Sequence, residues 1–320
     1  MNTATEQITV PASPNYWKTM HHLIRREYWE YKALYLWVPL ALSLCLLCFL
    51  SYVCIDAFFI VERNRVGFSF VKPMMLELYF KFFGPVFVTM SFVGIYHLMS
   101  SLHDDRQDRS VLFWKSLPVS DWQTVLAKIS LPLIFGPVMA FAMSLISYLI
   151  FCVLISTIAT FHGFSLFSVL ILDEAMWKTP LKLVTLFPIY VAWALPTVGW
   201  LLMISAWSKS RVFPWAFGMP FLAMLILTFG NFYAKFGWNL VWVFNNIFGR
   251  LLGGLLPGTW AVSDSLQGMW NDEGHDMFNF GDVYTQAWVQ FGGLKFWMGI
   301  AVGLALIFTA VRQRRYAEAI

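Results

Sequence analysis

Long apolar runs separated by short polar stretches dominate the chain. Each run contains about 18 or more residues, enough for a helix to cross a hydrocarbon layer about 30 Å thick. The six runs lie at 36–60, 79–99, 125–157, 183–207, 212–232 and 294–311. The third is longer than one crossing requires and contains Pro132, Gly136 and Pro137, so we predict that it is kinked or projects beyond the bilayer. The pattern predicts an all-α integral membrane protein with six transmembrane helices in one domain, residues 1–320.

Composition and charge support this class and give an orientation. The chain is 59% hydrophobic and 12% charged, an apolar content greater than one globular core can bury. Lys and Arg are enriched in cytoplasmic loops of membrane proteins. They are most concentrated on the side that holds both termini and the segment 104–121, so that side is predicted to be cytoplasmic. The first run begins too late in the chain to be the apolar core of a signal peptide, and no cleavage pattern follows it, so the N-terminus is expected to be retained.

Two segments outside the six runs need an interpretation of their own, residues 15–34 before the first run and residues 240–258 between the fifth and the sixth. Residues 15–34 place Trp17, Met20, Leu23 and Ile24 at helical spacing among basic residues. This pattern suits a helix in the membrane interface, although a simple basic flank would explain it equally well.

The second segment, 240–258, is apolar enough to suggest a seventh span. That interpretation would place Asn245, Asn246 and Arg250 at mid-membrane depth, at a cost of about 2.5–3.5 kcal/mol for the Arg. We therefore predict a re-entrant or surface hairpin, with a turn near Pro257, within the outer segment 233–293.

Candidate chemistry is sparse. The sequence contains no phosphate-binding loop, no H-E-x-x-H zinc motif and no G-x-S-x-G nucleophile motif. Cys45 and Cys48 form a C-x-x-C pair, which could hold a metal but lacks a second ligand pair, so both are interpreted as packing residues. No cofactor, metal or nucleic acid is therefore expected on this chain.

Two groups of ionisable residues have ordinary explanations. The outer group could hold a cation, but its spacing fits no defined loop and a solvated turn is favoured; it comprises Asp272, Glu273, His275 and Asp276. Within the spans, Asp56 and His97 lie near predicted boundaries without evident partners, and two such residues do not make a proton relay.

The most informative stretch is DDRQDRSVLFWKSLPVSD, residues 104–121. It begins with alternating charges, continues with a small apolar patch at 111–114 and is broken by Pro118. This order predicts a short amphipathic helix followed by a corner. Ser120 and Gln123 match a capping box that begins the third span, and Lys128 is predicted to extend to the headgroups.

Extended to residue 128, this stretch resembles the cytoplasmic segment of type-2 ABC exporter permeases. Asp105 and Arg106 match the acidic and basic opening pair of the family. Leu117–Ser120 match its Leu-Pro-Val-Ser, and Lys128 matches its trailing Lys. Where the family commonly has Gly-Thr-Leu, this chain has Arg109, Ser110 and Val111.

The resemblance implies a half-transporter without catalytic residues of its own. Two permease copies would form the pathway, and two separate ATPase subunits, which carry ATP and Mg²⁺, would bind the segment 104–121 as a coupling helix. The chain would lie in a bacterial inner membrane. The residues assigned to ATPase contact are Asp105, Arg106, Asp108, Arg109, Val111, Leu112, Trp114, Leu117 and Pro118.

The cargo of such an exporter and the function itself remain open at this point. The spans present aromatic, Met and hydroxyl side chains with little fixed charge, which suits an amphiphilic or peptide-like cargo moved outward. A membrane assembly or immunity subunit that transports nothing is an alternative. An integral membrane enzyme is a further alternative, but it would need more converging ionisable residues than the spans contain.

Overall fold

The computed structural model describes residues 16–63, 71–108, 119–163, 167, 174–259 and 280–316, without the side chains of 57–63, 71–77, 175–176 and 280–283. These residues form helices and connecting turns, with no strand among them. In chain order the helices are α1 (Tyr16–Glu30), α2 (Val38–Arg63), α3 (Val71–Gln107), α4 (Asp121–Ser130), α5 (Gly136–Phe161), α6 (Glu174–Trp207), α7 (Met219–Ala234), α8 (Leu240–Val243), α9 (Arg250–Gly253), α10 (Phe280–Phe291) and α11 (Leu294–Tyr316).

Six stretches of helix in the described part of the chain are long and apolar enough to cross a membrane. They are Ala33–Asp56, Leu78–Gln107, Asp121–Phe161, Trp177–Trp207, Pro214–Ala234 and Leu294–Tyr316. Each contains or overlaps one of the six predicted runs, so the prediction of an all-α fold with six helices long and apolar enough to span a membrane is confirmed. The third stretch includes a π-helical turn, Leu131–Phe135, at the position of Pro132.

The core lies between α3, α5, α6 and α11. Aromatic side chains of α3 and α5 meet in one cluster, in which the ring centroids of Tyr79 and Tyr148 are 5.2 Å apart. Helices α6 and α11 approach closely at two glycines. A methyl group on Gly199 would come within 2.6 Å of the Gly303 carbonyl oxygen, so this crossing requires glycine.

Helix α7 is packed differently from the other spans. Only 11% of the residues in its most apolar stretch are buried within the chain, the lowest share among the six candidate spans. Phe221 and Phe232 are among its outward residues and are more than two-thirds exposed, at 72% and 76%. In a membrane this surface faces lipid or another subunit.

The segment for which a hairpin was predicted is a continuous helix with a π-helical turn in its middle, and its carboxyl end packs into the bundle. It consists of α8, a π-helical turn (Phe244–Gly249) and α9. The Leu255 carbonyl, just beyond α9, accepts hydrogen bonds from the Ser91 hydroxyl at 2.6 Å and the Tyr190 hydroxyl at 3.2 Å. Side chains of α3 and α6 therefore satisfy this carbonyl, and insertion of the segment into the membrane as a re-entrant or surface hairpin stays a prediction.

Arg250 holds this segment against the first turn of α11. Its guanidinium donates to the carbonyls of Lys295 and Phe296 at 2.8 and 3.1 Å and lies over the Trp193 ring, 4.2 Å from the centroid. The side chain packs directly on Gly299. A buried cation is thus compensated by carbonyl dipoles and an aromatic face.

Candidate functional site

The structure describes the two ends of the segment 104–121 and leaves its middle, 109–118, outside the described residues. The predicted contacts of Arg109, Val111, Leu112, Trp114, Leu117 and Pro118 therefore stay predictions. Asp105, Arg106 and Asp108 lie at the end of α3, and Ser120 and Gln123 lie at the start of α4.

Asp105 and Arg106 are buried in the bundle, with 5% and 6% of their surfaces exposed. Asp105 Oδ2 lies 3.3 Å from Lys128 Nζ, which joins the end of α3 to α4. We predicted that both residues contact a partner directly. Both side chains bind neighbouring helices of the same chain, and their contact with a partner stays a prediction. Asp108 is exposed at the end of α3 and stays available for the predicted contact.

Arg106 caps the carboxyl end of α6. Its guanidinium donates to the Ser205 carbonyl at 2.8 Å and to the Ser208 carbonyl. His103 Nδ1 also lies 3.2 Å from the Ser208 carbonyl oxygen. Cations near the last carbonyls of a helix offset the negative end of its dipole. The residue predicted from the family pattern therefore serves as an anchor between α3 and α6.

The side chain of Ser205 joins the same two helices. Its hydroxyl donates to the Met99 carbonyl at 2.7 Å and accepts from the backbone N–H groups of Leu102 and His103 at 3.2 and 3.1 Å. A single Ser within an apolar helix carries no local signal for such a contact, so the sequence reasoning missed this residue.

The other end of the segment begins with the predicted cap. The Gln123 N–H donates to Ser120 Oγ at 3.2 Å, and the Ser120 N–H donates to Gln123 Oε1 at 3.1 Å. Both bonds of the capping box are present, which fixes the start of α4. Arg314 Nη1 of α11 lies 3.2 Å from Asp121 Oδ1 and ties the last span to this point.

Lys128 occupies the centre of the site, and the prediction that it extends to the headgroups is wrong. Only 1% of its side chain is exposed, and Nζ lies 3.2 Å from Glu27 Oε1 on α1. Two carboxylates from distant parts of the chain, Glu27 and Asp105, retain the ammonium inside. Burial raises the pKa of the Glu27 carboxyl, and the charge of Lys128 opposes that shift.

His97 also has a partner, contrary to the sequence interpretation. Its Nε2 lies 3.1 Å from the Lys128 carbonyl oxygen, and its ring packs on Tyr31 with centroids 4.3 Å apart. The residue is fully buried and serves packing at the same site. Asp56, in contrast, is exposed at the end of the first span.

The contacts at this site are ion pairs and hydrogen bonds between helices of the chain. Among the described residues, no group of three or more His, Cys, Asp or Glu side chains could hold a metal. Cys45 and Cys48 are free thiols on the exposed surface of α2. Asp272, Glu273, His275 and Asp276 lie outside the described residues. The ion pairs join α1, α3, α4 and α11 at the two described ends of the segment 104–121.

No family model, curated protein or solved structure matches this chain.

Proposed function

We propose that this chain is the transmembrane subunit of an ATP-driven ABC exporter and that separate ATPase subunits bind the segment 104–121. The observation that supports this proposal is the anchoring of both ends of the segment. At one end, Asp105 and Arg106 bind α4 and α6. At the other end, the Ser120 cap and the Asp121–Arg314 pair bind the segment to α4 and α11.

Such anchoring suits a coupling element. A flexible loop would absorb a displacement, whereas a segment fixed by buried ion pairs passes it to the helices that hold it. When ATP closes the ATPase dimer, the bound segment moves with its groove. Helices α3 and α4 then move as a rigid body with α1, because Lys128 binds both Asp105 and Glu27.

The partners follow from what the chain itself offers. Its sequence contains no phosphate-binding loop, so ATP and Mg²⁺ would be held by the partner subunits. A second permease copy would complete the pathway, and the exposed apolar surface of α7 is available for such a contact. Both termini would be cytoplasmic in a bacterial inner membrane. An amphiphilic or peptide-like cargo fits spans with little fixed charge.

Affinity purification of the tagged chain from its native membranes, followed by mass spectrometry, tests this proposal. The expected result is a co-purified ATPase with a phosphate-binding loop. Recovery of the chain alone would contradict the exporter function. Recovery of the chain with secretion or polymerising components would also contradict the exporter function. It would favour an assembly subunit that transports nothing.

A further inference from the structure

Helix α1 presents an unusual outward face. Residues spaced by four along it, Trp17, His21, Arg25 and Trp29, are all exposed. The exposed fractions of the two Trp residues are 76% and 57%. Large aromatic side chains at such exposure on a helix are not explained by packing within the chain.

The inward face of α1 carries its buried carboxylate. Glu27 is buried and bound to Lys128, and Leu23 packs beside it. The remaining acid, Glu30, lies 3.3 Å from Arg26 and is offset by it. The outward surface is therefore left with an excess of positive charge.

Three cations account for that excess, two on α1 and one, Lys32, two residues beyond its end. Lys18 and Arg25 are exposed, and Lys32 Nζ lies 4.8 Å from the centroid of the Trp29 ring. Trp side chains concentrate at the boundary between hydrocarbon and headgroups, and Lys or Arg beside them pair with phosphates.

The helix is held where a membrane surface would be. It continues through the π-helical turn Ala33–Trp37 into the first span, and its Tyr28 ring packs on Phe135 with centroids 5.0 Å apart. The ion pair of Glu27 with Lys128 fixes its rotation, so Trp17 and Arg25 point away from the bundle.

We propose that the outward face of α1 binds the headgroups of anionic phospholipids, with Lys18 and Arg25 on the phosphates and Trp17 and Trp29 in the boundary layer. This binding site goes beyond the proposed exporter function and does not depend on it. Charge complementarity favours anionic over zwitterionic lipid, because only the former retains net negative charge beside the cations.

The test uses the purified full chain in phosphatidylcholine vesicles with trace spin-labelled phosphatidylglycerol or spin-labelled phosphatidylcholine. Electron paramagnetic resonance gives the fraction of each label immobilised by the protein. The variant is Lys18→Gln with Arg25→Gln. The matched control, Lys209→Gln with Arg211→Gln, removes the same charge from exposed positions beside Ser208, at the same end of the bundle.

Wild-type protein is expected to prefer phosphatidylglycerol, and the α1 variant to lose about fivefold or more of its relative association constant for that lipid. The control variant is expected to keep the preference, and added salt to weaken it. Equal binding of the two labels by wild-type protein would overturn the proposal. An α1 variant that kept the selectivity of the wild-type protein would also overturn the proposal, because the exposed face would then bind another partner.

Discussion

Lys128 and Glu27 form an ion pair inside the protein, with Nζ and Oε1 3.2 Å apart and 1% and 2% of the two side chains exposed. The same ammonium lies 3.3 Å from Asp105. One Lys thus joins helix α1 to the ends of α3 and α4, beside the segment proposed to receive the ATPase.

Replacing this Lys should destabilise the protein strongly. Lys128→Met leaves two carboxylates, Glu27 and Asp105, buried without their cation. Breaking a buried pair by removing one partner costs about 3–5 kcal/mol. The measurement is the free energy of unfolding of the purified chain in mild detergent.

The matched control is Lys178→Met. Lys178 also binds a carboxylate, Glu174 at 2.9 Å, but 60% of its side chain is exposed. A change within about 0.5 kcal/mol is expected there. If the two Met variants were equally stable, the buried pairs of Lys128 would not hold the helices together.

Glu27 should make stability depend on pH. Because burial raises its pKa above the ordinary value of 4.5, the folded chain binds more protons than the unfolded chain above that pH. The stability contributed by Glu27 is therefore present below pH 4.5 and is lost as pH rises through the folded pKa. The charges that face it are those of Lys128, Asp105, Arg26, Glu30 and Arg314.

Glu27→Gln removes this contribution, and its melting temperature should vary less between about pH 4.5 and about pH 8 than that of wild-type protein. Thermal unfolding in the same detergent checks this. A parallel pH profile for the two proteins would show that Glu27 does not titrate differently on folding.

Gly299 and Arg250 should be energetically coupled. A methyl group at position 299 would overlap the guanidinium of Arg250, so Gly299→Ala should cost about 1–3 kcal/mol. In an Arg250→Ala background the same change should cost much less, because the overlapping group is gone.

Gly218→Ala serves as the control for this cycle. Gly218 has helical backbone angles just before α7, and a methyl group there would meet no atom within 4 Å, so a neutral or slightly stabilising effect is expected. Additive effects of Gly299→Ala and Arg250→Ala would contradict the close contact.

Local patterns predicted the spans and the cap, because both depend on residues adjacent in sequence. The six apolar runs correspond to the six candidate spans, and Ser120 and Gln123 form the box that their spacing of three predicted. Partners of buried charges could not be predicted in this way. Glu27, Asp105 and Lys128 lie on three different helices, and only tertiary packing brings them together.

The same limit explains the misinterpretation of Lys128 and His97. A Lys two turns into an apolar helix has the pattern of one that extends to the headgroups, and a lone His in a span shows no partner in its own neighbourhood. Both assignments were reversed by contacts across the bundle, to carboxylates for Lys128 and to a carbonyl and Tyr31 for His97.

The most direct measurement of the central claim compares two Trp variants in the affinity purification. Trp114→Ala lies in the proposed coupling segment. Trp238→Ala changes an exposed Trp that follows the carboxyl end of α7, whereas Ser208 precedes the amino end of that span. The account predicts that the ATPase recovered per chain falls for Trp114→Ala and stays at the wild-type level for Trp238→Ala. Equal ATPase recovery for both variants, or no ATPase with any of the three proteins, would contradict it.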